Sequence, residues 1–261
     1  MAEIARILII VKTYPVPSMR YRELVCTAGV REDGSFIRLY PIDYRYRPYA
    51  EWYQKYQWIE LNVERNEKDP RPESYRPFPG TEIKCIGQPL PTTDHWAERK
   101  RCVLAQGTQI LCHLQELPQQ SRSLGIIRPR TVKDLIAEPV ESEWTPKQNE
   151  MFKQLDLFGP NRGPLEKIPY RFVYVFQCEH PRCKGHRMMI EDWEVGELFR
   201  KMRDQHDDRT AVQKVIDRFL GTICAENIDT HFFVGTVLEH NTWIVLGTFW
   251  PTKPQQQRLF W

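Results

Sequence analysis

Cys178-Glu179-His180-Pro181-Arg182-Cys183-Lys184-Gly185-His186 places four potential metal ligands within nine residues. The alternating run before it, Tyr170-Arg171-Phe172-Val173-Tyr174-Val175-Phe176, predicts a strand. Ile190-Glu191-Asp192-Trp193-Glu194, after it, opens a helical pattern. Strand, tight Cys/His turn and helix is how small zinc modules are built, because clustered thiolate and imidazole ligands close a tetrahedron with little loop entropy. Cys178 and His180, two apart at a strand end, point the same way. Pro181 and Gly185 bend the chain so that Cys183 and His186 approach from the other side. The expected ligands of a structural zinc are therefore Cys178, His180, Cys183 and His186. The spacing C-x-H-x2-C-x2-H is shorter than that of a finger with two distant pairs. A remote fourth ligand, Cys224 or His206, is the alternative if one shell is too cramped for all four. The plainer reading is two buried thiols and two surface histidines in a turn.

Working outward, Val195, Leu198, Phe199 and Met202 fall on one helix face, and a second helix from Asp208 aligns Val212, Val215, Ile216, Phe219 and Leu220. Residues 231–238 and 243–250 predict a hairpin. Strand, knuckle, two helices and two strands make an α+β module over 166–261. Upstream, 4–12 reads as a buried strand. Residues 24–31 and 35–40 form a hairpin across Glu32-Asp33-Gly34, and 57–65 and 82–86 add strands. Short strands with tight turns predict a small β-barrel-like domain over 1–90. Between them, 91–165 reads as a connector, helical over 96–119 and then rich in Pro, Gln, Ser and charge. The expected fold class is α+β.

A net charge of +3 is too small to imply nucleic acid by itself. Seven cysteines, five of them single among apolar residues, show no disulfide rhythm, which predicts a reducing compartment, the cytoplasm. Ile7-Leu8-Ile9-Ile10-Val11 is too short to span a membrane, and its flanks do not resemble a signal peptide, so no membrane association is expected. A homo-oligomer is expected.

Between positions 40 and 58, eight of nineteen residues are Tyr or Trp, with Arg38, Arg45, Arg47 and Lys55 close by or among them. Aromatic faces stack unpaired bases and interspersed cations hold phosphates, so Arg38, Tyr44, Arg45, Tyr46, Arg47, Trp52 and Lys55 are candidate contacts to RNA or single-stranded nucleic acid. The competing reading is an aromatic core with Asp43 and Glu51 as counterweight. Asp69-Pro70-Arg71-Pro72-Glu73 sets two carboxylates and a guanidinium on a rigid turn. Asp69 and Glu73 would hold Mg²⁺ for phosphodiester cleavage with Arg71 on the phosphate, unless this is a surface turn. Arg200-Lys201-Met202-Arg203-Asp204-Gln205-His206 resembles the Arg-x(4 to 6)-His signature of HEPN-type ribonucleases, which makes His206 a further catalytic candidate; basic residues at a helix end are also expected from the macrodipole. Gln154-Leu155-Asp156-Leu157-Phe158 matches the bacterial sliding-clamp-binding pentapeptide at every position. The alternatives there are a clamp-recruited adaptor and an amphipathic turn buried in the core.

Lys12-Thr13-Tyr14-Pro15, Tyr21-Arg22-Glu23-Leu24-Val25-Cys26-Thr27-Ala28-Gly29 and the block 178–194 resemble a bacterial family similar to the zinc-finger ribonucleases of phage defence, including the ring-activated type. The resemblance spans most of the chain and implies a ribonuclease effector of antiviral defence, triggered by a phage protein. It transfers no catalytic residue.

Overall fold

The computed structural model describes residues 2–18, 22–118, 121–152, 166–238 and 242–254. Its N-terminal part is a sheet of β1 (Glu3–Lys12), β2 (Val16–Ser18), β3 (Arg22–Arg31), β4 (Phe36–Ile42), β5 (Trp58–Arg65), β6 (Ser74–Pro77) and β7 (Lys84–Ile86). Strands run β1-β3-β4-β6-β5, and β5 returns to pair with β1, closing a five-stranded barrel, with β2 and β7 added on β3 and β5. Closure leaves β1 no edge, and both of its faces are covered. Ala5, Ile7 and Ile9 fill the barrel with Ile37, Leu39, Ile59 and Leu61, while Leu8 and Ile10 point outward into a second core. That is why 7–11 is an unbroken apolar run rather than an alternating one.

The chain continues through α1 (Thr93–Val103), α2 (Leu111–Glu116), β8 (Leu124–Ile127), β9 (Pro129–Pro139) and α3 (Pro146–Phe152). Next come β10 (Tyr170–Cys178), β11 (His186–Met189), α4 (Trp193–Arg203), α5 (Asp208–Ile216), β12 (His231–Val237) and β13 (Thr242–Phe249). A turn of π-helix, Asp217–Thr222, extends α5. Two three-stranded sheets result, β11-β10-β9 and β13-β12-β8, joined by a parallel bridge between Ile190 and Val245.

The sheet β13-β12-β8 is the middle layer, and its side chains alternate as a doubly covered sheet requires. Phe233, Ile244, Leu246 and Ile126 face the barrel and Trp96, whereas Phe232, Val234, Val245 and Ile127 face β10, α4 and α5. The stretch expected as a helical connector corrects accordingly. Its described residues hold three helices, α1, α2 and α3, but β8 and β9 within it pair with β12 and β10 and belong to the C-terminal sheets. Sequence alone missed this because β9 is largely exposed and polar.

A buried polar clasp locks the barrel to the middle layer. The Arg71 side chain donates to Asp69 from Nε to Oδ1 at 2.8 Å and to Oδ2 at 3.1 Å and from Nη2 to Oδ2 at 2.6 Å, and from Nη1 to the Thr236 carbonyl at 2.6 Å. Ser74 Oγ donates to Asp69 at 2.6 Å, and Glu73 accepts from the Ser123 amide and hydroxyl at 3.1 and 2.8 Å. Asp69 and Arg71 are 4% and 5% exposed, too little for a substrate to reach them.

Candidate metal centre and cleft

Cys178 ends β10 and His186 begins β11, across a turn in which the Cys183 amide donates to the His180 carbonyl at 3.0 Å. Gly185 completes that turn at φ +104°, where a side chain would be strained. The fourth member comes from α2. Gln109 fixes the approach to that helix by exchanging backbone bonds with β8, its amide donating to the Ile126 carbonyl and its side-chain oxygen accepting from the Ile126 amide, each at 2.8 Å. Leu111 and Leu114 bury one side of α2, and Cys112, between them, is turned towards the knuckle.

Cys112, Cys178, Cys183 and His186 thus hold their ligand atoms within 4.8 Å of one another. Cys112 and Cys178 sulfurs are 3.5 Å apart, and His186 Nε2 lies 3.2 Å from the Cys183 sulfur and 3.6 Å from that of Cys112. A tetrahedron with Zn–S of ~2.3 Å and Zn–N of ~2.0–2.1 Å has edges of about 3.5–3.8 Å, so the donor set fits a zinc ion. Burial pushes the Cys112 thiol up to about 12, whereas Cys183, despite burial, is held below its usual value by backbone N–H donors of Gly185 and Cys178. A divalent ion takes such sulfurs as thiolates, deprotonating the thiols that bind it. The group could hold a metal ion such as zinc.

His180 is the correction to the expected ligand set. Its Nδ1 accepts from the Arg182 amide at 3.2 Å, and its ring packs edge-on to His113, with centroids 5.2 Å apart. From the turn, Cys178, Cys183 and His186 bring their donor atoms into the cluster. The remote member of the cluster is Cys112, rather than Cys224 or His206. Cys224 packs in the core near Phe219, and His206 lies exposed between α4 and α5.

The other expected sites are rearranged. Within residues 40–58, Tyr49 is 83% exposed and packs on Trp52, ring centroids 5.7 Å apart, but the other candidates are drawn inward. Tyr44 and Tyr53 are buried, with Tyr44 Oη donating to the Tyr53 carbonyl at 2.8 Å, and they plug the barrel end. Tyr46 and Trp52 are half-buried, Trp52 Nε1 donating to the Arg47 carbonyl at 3.0 Å. Arg38 is 3% exposed and donates to the Ser123 carbonyl at 3.2 Å. Arg45 pairs with Glu23 at 2.8 Å, and Arg47 with Asp43 and Glu51 at 2.8 and 2.6 Å. The acids that accompanied the cations in sequence neutralise them in space. Asp69, Arg71 and Glu73 form the clasp, not a Mg²⁺ site, since the hydrogen bonds above already engage both carboxylates. Gln154 to Phe158 lies outside the described residues.

What sequence reasoning missed is a cleft of about 790 Å³ between the barrel, α1 and the α4/α5 pair. Among the described residues Lys12, Lys55, Arg99, Lys201, Lys214 and Arg218 line it, against Glu194 and Glu197. Arg99 lies over the rings of Tyr56 and Trp96 at 4.1 and 4.7 Å, and Arg218 over Trp250 at 4.6 Å. On the opposite wall, Lys55 Nζ bridges Asp192 and Glu194 at 3.0 and 3.1 Å. Burial disfavours that charge, yet the facing carboxylates raise the Lys55 pKa well above its ordinary value. Asp192 also caps α4, accepting from the Glu194 amide at 3.0 Å. The contributing residues are scattered from position 12 to 250, so no local signal marks the cleft.

A closed barrel docked on a layered α+β module with a Cys₃His cluster is the class these features define. Residues 107–261 match the family described as Domain of unknown function (DUF8757), and the chain belongs to it. Residues 3–105 match a second one, Domain of unknown function (DUF8758). Comparison with curated proteins gives no match. A solved structure described as "Structure of murine DNA binding protein bound with ds DNA" is similar at 8% identity over 98% of this chain and 100% of that one, with a TM-score of 0.32. A likeness at that level bears on neither fold nor function. Among the described residues no helix is long and apolar enough to cross a membrane.

Proposed function

We propose that this is a zinc-bearing protein that acts on single-stranded nucleic acid, with RNA as the substrate and phosphodiester cleavage as the activity. The observation that carries the reading is the cleft, where among the described residues six cationic side chains outnumber two acids and stand beside the half-buried rings of Trp193 and Trp250. Cations that track phosphates, interleaved with aromatic faces that stack bases, are what single strands require, and no base edge need be read. Zinc is the structural staple: bound by Cys112, Cys178, Cys183 and His186, it ties α2 to β10 and β11 and leaves no ligand position for substrate. The role in antiviral defence rests on the family resemblance alone.

The test is fluorescence anisotropy of labelled single-stranded RNA at two salt concentrations, with metal analysis of the same preparation. Binding that weakens steeply with salt and is lost in Lys201→Glu/Lys214→Glu supports the cleft. Salt-insensitive or absent binding by a folded, zinc-loaded protein rules the reading out.

A further inference from the structure

The turn that carries His186 borders a second cavity, of about 470 Å³, which shares no lining residue with the cleft. It lies between the end of α2, the start of β11, the end of β12 and the start of β13. Gln115, Arg122, His186, Arg187, Thr236 and Thr242 supply its polar wall, and among the described residues no carboxylate lines it. Two guanidiniums with no acid beside them in the lining favour an anion.

Three of these groups have donors to spare. Arg122 is half-buried and has no ion pair or hydrogen bond among the described residues. Thr236 is 3% exposed, and its hydroxyl has no hydrogen-bond partner there. Its strand cannot shift to find one, because its amide donates to the Ser123 carbonyl at 3.0 Å and its carbonyl accepts from Arg71 at 2.6 Å. A buried hydroxyl left unpaired is a cost that a ligand would relieve. His186 turns Nε2 to the sulfurs of Cys183 and Cys112, at 3.2 and 3.6 Å. A zinc ion held by Nε2 leaves the ring proton on Nδ1, and a metal-bound imidazole ordinarily donates that proton to an acceptor. Among the described residues Nδ1 has none. Arg187 gives one bond to Glu138, from Nη2 at 2.8 Å, and keeps the rest of its five N–H donors.

We propose that this cavity binds a phosphate group, with Arg122 and Arg187 supplying the charge and His186 Nδ1 and the Thr236 hydroxyl supplying directed donors. Phosphate fits better than carboxylate because the donors come from separate elements, and a tetrahedral anion offers acceptor oxygens in every direction. Neither the cleft nor RNA is needed for it. A phosphate that accepts from Nδ1 fixes the ring and makes Nε2 a better ligand, so phosphate and zinc should each tighten the binding of the other. The phosphate is either a free ion or the terminal group of a nucleic-acid strand, and both present the same oxygens.

The experiment is equilibrium competition for zinc between the full-length protein and a chelator, in chloride and in inorganic phosphate at equal ionic strength. The expected result is a saturable rise in zinc affinity of at least ~5-fold with phosphate. Arg122→Gln should bind zinc in chloride within ~2-fold of wild type and lose the phosphate effect. Thr236→Val should melt no lower than wild type in chloride, since it removes the unpaired hydroxyl, and should need ~10-fold more phosphate. Lys201→Glu/Lys214→Glu, in the cleft, should leave the effect intact. Short RNAs with a 5′-phosphate or a 5′-hydroxyl then identify the source: if the phosphorylated strand alone reproduces the effect it is a strand end, and if neither does it is free phosphate. Wild-type zinc affinity indifferent to phosphate overturns the proposal. So does an effect that survives both Arg122→Gln and Thr236→Val, or one lost with the cleft lysines.

Discussion

Cys112 and Cys178 hold their sulfurs 3.5 Å apart although 66 positions separate them in the chain. That contact couples α2 to the end of β10, and it decides which histidine of the knuckle completes the cluster. His186 faces the sulfurs, while His180 is turned to the Arg182 amide.

Removing one ligand should therefore separate the two histidines. Cys112→Ser is expected to lose the zinc equivalent and on the order of 3 kcal/mol of stability, a fraction of the ~10–16 kcal/mol that structural zinc supplies in finger peptides. His180→Ala should keep full zinc content and a near-wild-type melting temperature. Metal analysis with thermal melts checks both, and loss of zinc from His180→Ala would contradict the ligand set.

The buried clasp predicts a stability effect with no effect on chemistry. Arg71→Met leaves Asp69 buried with its guanidinium gone, a change that costs ~3–5 kcal/mol. Activity per folded molecule should be unchanged, and urea unfolding alongside a cleavage assay reads both. Although burial pushes Asp69 up, hydrogen bonds from Arg71 and Ser74 win and hold it below the usual carboxylate range. The stability it contributes is thus present at neutral pH and lost as pH falls through its folded value.

Lys12 carries the opposite sign. Its folded value, about 8, lies below the ordinary 10.5, so the folded state binds fewer protons and the lysine is a stability cost below pH 8. Lys12→Met should stabilise the protein at pH 7 by on the order of 1–2 kcal/mol, after allowance for solvent screening and the lost Tyr44 contact. The difference should shrink between pH 8 and 10.5. Denaturant melts across that range measure it, and a destabilised variant at pH 7 would contradict it.

Arg99 and Arg218 lie on rings, whereas Lys201 and Lys214 stand exposed at the rim of the cleft. Each rim lysine contacting a phosphate contributes ~0.7 to the slope of log affinity against log salt for a single strand. Lys201→Gln/Lys214→Gln should lower that slope by about 1.4, with little change in melting temperature. An unchanged slope would place the phosphates elsewhere.

Gly196 in α4 meets the Tyr14 ring, and an added Cβ would stand 2.2 Å from Tyr14 Cδ2. Gly196→Ala is expected to cost ~1–3 kcal/mol by forcing Tyr14 away, although alanine favours helices elsewhere. Calorimetry of the variant decides which effect wins.

The local elements were written in the chain itself. The run Ile7 to Val11 identifies a strand buried on both sides, Glu32-Asp33-Gly34 marks the β3–β4 turn, and the stripe Val195, Phe199 and Val215 marks two packed helices. Each depends on periodicity and turn chemistry within a few residues. The same was true of Cys178, Cys183 and His186, whose spacing announces a knuckle. Long-range pairing settled the rest. Nothing near Cys112 distinguishes it from Cys102 or Cys85, and only the pairing of β8 with β12 and the Gln109 bonds carry it to the knuckle. Closure of β5 on β1 turned residues 40–58 into a barrel plug, so Tyr44 and Arg38 left the surface that composition alone would give them. The cations of the cleft come from β1, α1, α4 and α5, whose relative placement depends on burying faces that no single segment can cover. Side-chain chemistry is local, but a site is a set of distances, and those distances exist only after the layers have packed.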